Sequence, residues 1–337
     1  MPDKLISQAD LARMLQLSSA TVSLALADNS RIPPETRTRV KILAKKLGYK
    51  PDIHAAHLAI KRWANKTPTS RANIAYMQCL MSKGNDDLYL PGLLKQADAL
   101  GYNLDILHSW EFTSDDHLTK VLYSRGIQGV VVGQSGDRFH PRIPHLDEVA
   151  VVQCGLFLPV EILTLVRPDL DSAVRLCFEK VRSRGFERIG MVLLHNLNAE
   201  SDRILEDAIW NLKRVYSENI EVFIEKWSVF LSRRTPLKEW FYRHQIDVVV
   251  GINPAIDDFL QQLGIDAPFA CMIHDLYRPD FDGADLQCSL MGEMSINLLD
   301  TALRQNLFGI PSVKKVFMVE PTWHEGTTLL RPRVTPQ

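Results

Sequence analysis

The chain has 337 residues, enough for more than one domain with a core of its own, and its 46% apolar and 23% charged residues are ordinary for a globular protein. No apolar run approaches the roughly 18 residues of a membrane span, and the N-terminus lacks the apolar core of a signal peptide, so a cytoplasmic protein is expected. The five cysteines, Cys79, Cys154, Cys177, Cys271 and Cys288, show no C-x-x-C spacing, which points to buried free thiols rather than disulfides or a zinc site. The net charge of −1 conceals an asymmetry. Residues 1–71 carry 13 Lys+Arg against 5 Asp+Glu, a balance of +8, and the remainder carries 26 against 35. A basic module on an acidic body attracts phosphate to one end of the molecule.

The first element is the stretch Ser7 to Leu26, which reads as two short helices joined by a tight turn. Ser7 is placed to cap the first helix, with Asp10 three residues on. Leu11, Met14 and Leu15 form its inner face, and Ser18 caps a second helix from about Ser19 to Leu26. Val22, Ala25 and Leu26 point inward there, leaving Ser19, Ala20, Ser23 and Leu24 outside. Two such helices bury little, so a third is needed. Pro34 to Leu47 supplies it, with Val40, Leu43, Ala44 and Leu47 as its apolar stripe and Gly48 as its stop. A short second helix with small polar residues at its start fits a DNA-binding helix-turn-helix, but the pattern alone equally allows a three-helix satellite of a larger domain. Residues 53–60 then read as a short helix, and Lys61 to Arg71, polar with Pro68, as a linker.

From Asn73 the pattern becomes strand–helix alternation. Strands are expected at NIAYMQC, LDIL, GVVVG and VAVVQCG, with helices at Leu88–Leu100 and Asp115–Ser124. A second series follows, with helices at Asp171–Arg184, Arg203–Tyr216, Pro236–Arg243 and Ala255–Leu263. Its strands are RIGMVLL, EVFIEKW, DVVVGIN and FACMIHD, and a last helix spans Met294 to Arg304. Two series of parallel βα units imply two doubly wound sheets, with a ligand site beyond the strand carboxyl ends.

The run Leu17 to Leu26, followed by Ile32 to Val40 and then Leu47-Gly48-Tyr49-Lys50-Pro51, resembles the LacI/GalR family of bacterial repressors. Gly309-Ile310-Pro311 and Trp323 to Gly326 extend the likeness towards the C-terminus. The resemblance implies an all-α helix-turn-helix domain over residues 1–50, a hinge helix and linker over 51–71, and a periplasmic-binding-protein-like core over 72–337. The core would have two lobes, about 72–164 with 288–313, and 165–287 with 314–337, with three chain crossings between them. The partners implied are a double-stranded DNA operator, a second copy of the chain as homodimer, and a small-molecule effector such as a sugar; no cofactor, metal or membrane is implied.

By the same resemblance, base contacts would come from Ser19, Ala20 and Leu24, with Ser23 on the same face. Ser18 and Thr21 would contact phosphate, and Arg31 and Thr36 would also touch DNA. Leu58 matches the residue that wedges into a base step of the minor groove. Better-known members often carry Arg at the position of Leu24, and leucine can touch only apolar base edges. Specificity is therefore expected to lean on the Leu58 kink and DNA deformability. For the effector, Asn253 and Asp275 match ligand positions, whereas Pro254 stands where Asp is expected and Leu205 where Arg is expected. Arg203, two residues away, is the nearest cation, and Tyr89, Trp210 and Trp323 are candidate aromatic walls.

Catalytic signatures such as G-x-S-x-G, H-E-x-x-H or a P-loop do not occur, so an enzyme is not expected. His54 and His57 sit three apart without an evident third ligand and read as a solvated helix face. The other reading left open is a cytoplasmic small-molecule-binding protein whose N-terminal helices bind a protein partner. A repressor with a vestigial pocket is a variant of the first.

Overall fold

The computed structural model describes residues 8–26, 32–47, 72–79, 87–112, 114–134, 148–156, 163–195, 199–216, 219–274 and 278–332. The expected Ser7 and Gly48 caps, the 53–60 helix and the 61–71 linker lie outside these.

Three helices form the N-terminal unit: α1 (Gln8–Leu15), α2 (Ser19–Leu26) and α3 (Pro34–Lys46). They enclose a separate small core of Leu11, Ala12, Val22, Ala25, Ile32, Val40 and Ala44. Met14, expected inside, is 55% exposed, and Ala12 takes the inner position instead.

The rest of the chain builds two six-stranded sheets. The first contains β1 (Ala72–Gln78), β2 (Tyr102–His108), β3 (Ile127–Val132), β4 (Ala150–Cys154), β5 (Thr164–Pro168) and β11 (Val316–Val319), in the order β11-β5-β4-β3-β1-β2. All its pairings are parallel. The second contains β6 (Ile189–His195), β7 (Ile220–Lys226), β8 (Val248–Gly251), β9 (Phe269–Cys271), β10 (Asp282–Asp285) and β12 (Thr322–His324), in the order β12-β10-β9-β8-β6-β7. Only its β10–β12 pair is antiparallel. Parallel strands are joined through helices that cover both faces, which is why these strands are near-continuous apolar runs such as Val130-Val131-Val132.

On one face of the first sheet lie α4 (Leu90–Leu100) and α11 (Cys288–Arg304), and on the other α5 (Asp115–Ser124), which buries Leu118 and Leu122 against Met77, Val130 and Val132. Where α4 and α11 cross, glycines bring the backbones together: a Cβ on Gly92 would lie 1.7 Å from the Ser289 carbonyl oxygen, and one on Gly292 would lie 2.4 Å from that of Tyr89. In the second lobe, α6 (Leu170–Ser183), α7 (Ala199–Val215), α8 (Trp227–Ser232), α9 (Thr235–Arg243) and α10 (Ala255–Gln262) complete the fold.

The chain passes between the sheets three times, after β5, after β10 and after β11. Because β5 pairs with β4, and β11 with β5, the first lobe runs through Pro168 and Val319, beyond the expected limits of 164 and 313. Several other bounds differ: α11 begins at Cys288 rather than Met294, and α7 at Ala199 rather than Arg203. Strands β5 and β10 and helix α8 were not expected. The tail is held by buried charge. Asp282 accepts from Arg184 at 2.9 Å and from the Leu329 N–H at 2.9 Å, and Arg331 pairs with the buried Asp257. All five cysteines are buried and free. Among the described residues, no helix is long and apolar enough to cross a membrane.

Candidate functional site

The N-terminal unit presents α2 through a turn that needs no glycine. Gln16 adopts φ 54°, in the left-handed region, and the Leu17 N–H donates to the Ala12 carbonyl at 2.9 Å, closing α1. Ser18 Oγ then accepts from the Thr21 N–H at 3.0 Å, capping α2 as expected. The Ser18 and Thr21 hydroxyls also lie 2.8 Å apart. One of their two hydroxyl hydrogens is spent between them, which leaves the other to offer a phosphate oxygen. Ser19, Ala20, Ser23 and Leu24 all fall on α2, with Leu24 half-buried, and Thr36 is half-buried on the first turn of α3. Arg39, Lys41 and Lys46 add exposed positive charge on α3. Arg31 and Leu58 lie outside the described residues.

The second site is a cavity of about 490 Å³ between the two lobes. From the first lobe, Tyr76 and Gln78 come from β1, Asp87 and Tyr89 from the turn before α4, and Gln134 from the end of β3. Facing them are Asn253 and Pro254 after β8, Asp258 on α10, His274 after β9, and Arg278. Leu88, Leu156, Ala255, Ile273, Leu286 and Cys288 complete the wall. The site thus lies beyond the carboxyl ends of both sheets' strands, where open α/β sheets bind ligands.

Its polar groups are ordered by one another. The Asp87 carboxylate accepts from the Tyr76 hydroxyl at 2.6 Å, from Gln78 Nε2 at 3.3 Å and from the Tyr89 N–H at 3.0 Å. The Tyr89 hydroxyl donates to Gln134 Oε1 at 2.8 Å. Arg278 grips Asp258 in a bidentate pair at 3.1–3.2 Å. Asn253 Oδ1 accepts from the Ala255 N–H at 3.2 Å at the start of α10. Burial pushes the Tyr76 and Tyr89 phenols well above their ordinary value, so both remain neutral donors. It also pushes the Cys288 thiol up to about 12, so the cavity holds a thiol and no thiolate. His274 stacks on His324 with ring centroids 4.2 Å apart.

Of the residues singled out in the sequence for the effector, Tyr89 and Asn253 line this cavity. Arg203 does not: it pairs with Asp207 one helical turn on, with both side chains more than half exposed. The physical reason is helical geometry, since Leu205 takes the buried face of α7 and turns Arg203 to solvent. Asp275 lies outside the described residues. Trp210 is exposed on α7 and donates to Glu206, and Trp323 lies beneath Lys180 and Arg184, so neither walls the cavity. Gln134, Asp87 and Arg278 were missed. For Gln134 the signal was present, because it directly follows the strand run GVVVG.

Two further contacts join the lobes at the rim. Arg167 of β5 pairs with Glu200 of α7 at 3.0 Å, and the Ser201 hydroxyl donates to the Leu156 carbonyl at 3.2 Å. At the second crossing Gln287, at φ 58°, donates from its backbone to Asp285 and from its side chain to Asp285 and to Thr322, tying the crossings together.

A three-helix helix-turn-helix head joined to a two-lobed, thrice-crossed α/β core with a cavity between the lobes defines a fold class: a helix-turn-helix unit on a periplasmic-binding-protein-like core. Residues 9–52 match the family model of the bacterial regulatory proteins of the lacI family. It is 26% identical over 230 residues to catabolite control protein A of Staphylococcus xylosus, covering 67% of this chain and 65% of that protein, so the match spans just under two thirds of the relative's length. Among solved structures, the lac repressor dimer bound to operator and the anti-inducer ONPF aligns at a TM-score of 0.52 and 15% identity, over 97% of this chain and 99% of that one. The transcriptional regulator CelR–cellobiose complex aligns at 0.52 and 17%, over 94% and 98%. These structural likenesses establish the fold.

Proposed function

We propose that this protein is a cytoplasmic, sequence-specific DNA-binding regulator, acting as a repressor, whose homodimer binds a pseudo-palindromic operator. A small sugar-like molecule in the interlobe cavity modulates that binding. The observation that carries the reading is the pairing of a capped recognition helix on a basic segment with a cavity formed by both lobes. Ligand that contacts both walls favours one angle between the lobes, and that angle sets the spacing of the two heads on DNA. To move such a two-state device decisively, the ligand must prefer one state by about 10⁴-fold. The role is non-enzymatic: the cavity binds and reports.

Support comes from the charge partition, from the Ser18 cap that sets the start of α2, and from the relatives, one of which is bound to operator and one to cellobiose. Leu58 is the proposed minor-groove wedge and Arg31 and Thr36 the proposed flanking contacts. The test is selection of bound duplexes from a random pool by the full chain, followed by binding to the winner across a salt series. A palindromic winner is expected, with affinity falling steeply as salt rises. Leu58→Ala should weaken binding to it. Absence of any enriched sequence, both with and without a metabolite extract, would sink the DNA-binding reading.

A further inference from the structure

Strand β11 ends the first sheet, pairing with β5 on one side and with no further strand among the described residues on the other. The Lys315 and Val319 carbonyls accept from the Leu165 and Asp169 N–H groups, each at 2.9 Å. Backbone alternation then turns the N–H and C=O of Val316 and Met318 away from β5, to the free side. Sheet edges are ordinarily blunted by charge or by brevity. The other three edge strands follow that rule: β7 carries Glu221 and Glu225, β2 carries Asp105 paired with Arg125 at 3.2 Å, and β12 has three residues. On β11, Val316 and Met318 are 42% and 56% exposed, whereas Phe317 is half-buried and Val319 buried. Leu307, Ile310 and Val313, in the segment leading to the strand, are exposed as well.

The charges of this edge stand at its two ends. Lys314 and Lys315 precede the apolar residues and Glu320 follows them, all three exposed. A twofold axis perpendicular to a sheet joins two edge strands antiparallel and keeps each residue on its own side of the sheet. Residues of like parity therefore meet. Centring the pair on Phe317 sets Lys314 against the partner's Glu320, and Val316 against the partner's Met318. Val316 and Met318 would then exchange backbone hydrogen bonds through the groups that β11 turns away from β5. A shift of two residues either way sets Lys314 against the partner's Met318, or Glu320 against the partner's Val316. Opposite charges and apolar pairs match only in the centred register, so the edge is complementary to a second copy of itself.

We propose that β11 pairs antiparallel with β11 of a second copy, joining two first lobes into one continuous sheet. This contact is not the one that an operator-binding homodimer requires. Strand β1, which follows the N-terminal head in the chain, runs parallel to β11, because every pairing in the sheet is parallel. Antiparallel joining turns the two β1 amino ends, from which the heads lead off, to opposite ends of the joined sheet. It does not set two heads side by side on one operator, and it links separate dimers instead. Two short strands make a small interface, so the link forms as concentration rises.

The test uses the full chain. Its five native cysteines are buried and free, so a thiol placed on the edge is the one open to oxidation. Val316→Cys and Met318→Cys chains are oxidised mildly, each alone and as an equal mixture. Opposite residues of a hydrogen-bonded pair lie about 5.5 Å apart at Cα, within reach of a disulfide, whereas like residues lie on a diagonal of about 7–8 Å. The mixture should therefore form linked chains at least about fivefold faster than either variant alone. Glu320→Lys in both chains should remove that advantage, and adding Lys314→Glu should restore it. Met318→Pro deletes an N–H that faces away from β5, so each chain keeps its own sheet. In sedimentation at rising concentration, the wild type should reach at least twice the mass of the largest Met318→Pro species. Equal masses at every concentration overturn the contact. Linking in the mixture no faster than in either variant alone overturns the register on which it rests.

Discussion

Ser18 sits where DNA contact and helix capping compete for one hydroxyl, and substitution separates the two roles. Its oxygen accepts from the Thr21 N–H, so Ser18→Ala leaves an unsatisfied amide at the start of an eight-residue helix. Loss of such a cap costs about 1 kcal/mol. A three-helix unit with a core this small has about 3 kcal/mol of its own, so about 2 kcal/mol remains and more than about 95% stays folded at 25 °C. Operator affinity of the Ser18→Ala chain should therefore stay within about twofold of wild type, because Thr21 can still offer its hydroxyl hydrogen to phosphate. Amide hydrogen exchange over α2 should instead lose about fivefold of its protection, the equivalent of that 1 kcal/mol. Ser18→Asp can cap and should keep the protection, but its charge faces the phosphates and should weaken operator binding, most at low salt. Exchange measured by mass spectrometry and operator binding by fluorescence anisotropy read the two effects independently. The reasoning fails if Ser18→Ala lowers affinity tenfold or more while α2 keeps its protection. That result would make the hydroxyl a DNA contact and the cap incidental.

Gly155→Ala forces a side chain into left-handed backbone against Gln134 and should lower stability by at least about 2 kcal/mol in urea unfolding; a loss under about 0.5 kcal/mol would show that the segment relaxes freely. Burial pushes the thiols of Cys79, Cys154, Cys177 and Cys288 up to about 12, so iodoacetamide at pH 8.5 should spare them in the native chain and label them once it is unfolded. Rapid native labelling of any of the four would contradict that burial. Burial also raises the Asp257 carboxyl above its ordinary value, outweighing the lowering by Arg331. Its contribution to stability is then fully present below the unfolded value and declines as pH rises through the folded one. The urea midpoint of wild type relative to Asp257→Asn should accordingly increase as pH falls from 6 towards 3, and the opposite trend would refute the sign.

Where local chemistry and tertiary packing agree, the sequence was easy to read. Helix α2 has the expected limits, Ser19 to Leu26, because a cap and a turn mark its start, and α5 runs from Asp115 to Ser124 behind the Ser114 cap. Strand β10 escaped notice because Asp282-Gly283-Ala284-Asp285 carries no apolar run. It is a strand only because its neighbours supply pairing, and Gly283 has backbone atoms of Cys271 within 3.1 Å of any Cβ. Helix α8 was not expected: the strand reading EVFIEKW takes in only its first residue, Trp227, and the five residues that follow are too few to show a helical period. At the cavity, Tyr89 and Asn253 were legible from the resemblance, whereas Gln134 and Arg278 take their orientation from residues distant in sequence. The wrongly placed Arg203 shows the limit of counting along a helix: a shift of two residues turns a side chain to the other face.

The route of the chain through the first sheet also constrains how the protein is made. Strands β1 to β5 are all synthesised once Pro168 is added, yet α11, which buries Leu93, Ala150 and Val152, and the edge strand β11 come from residues 288–319. The three-helix head has everything its core requires by residue 47, and the second lobe lacks only its short edge strand and the tail clasp once Asp285 is reached. The first sheet must wait, with an uncovered apolar face, while more than a hundred further residues are translated. Chaperone binding during synthesis should concentrate on that face, and slow-translating stretches between β5 and α11 would lengthen its exposure.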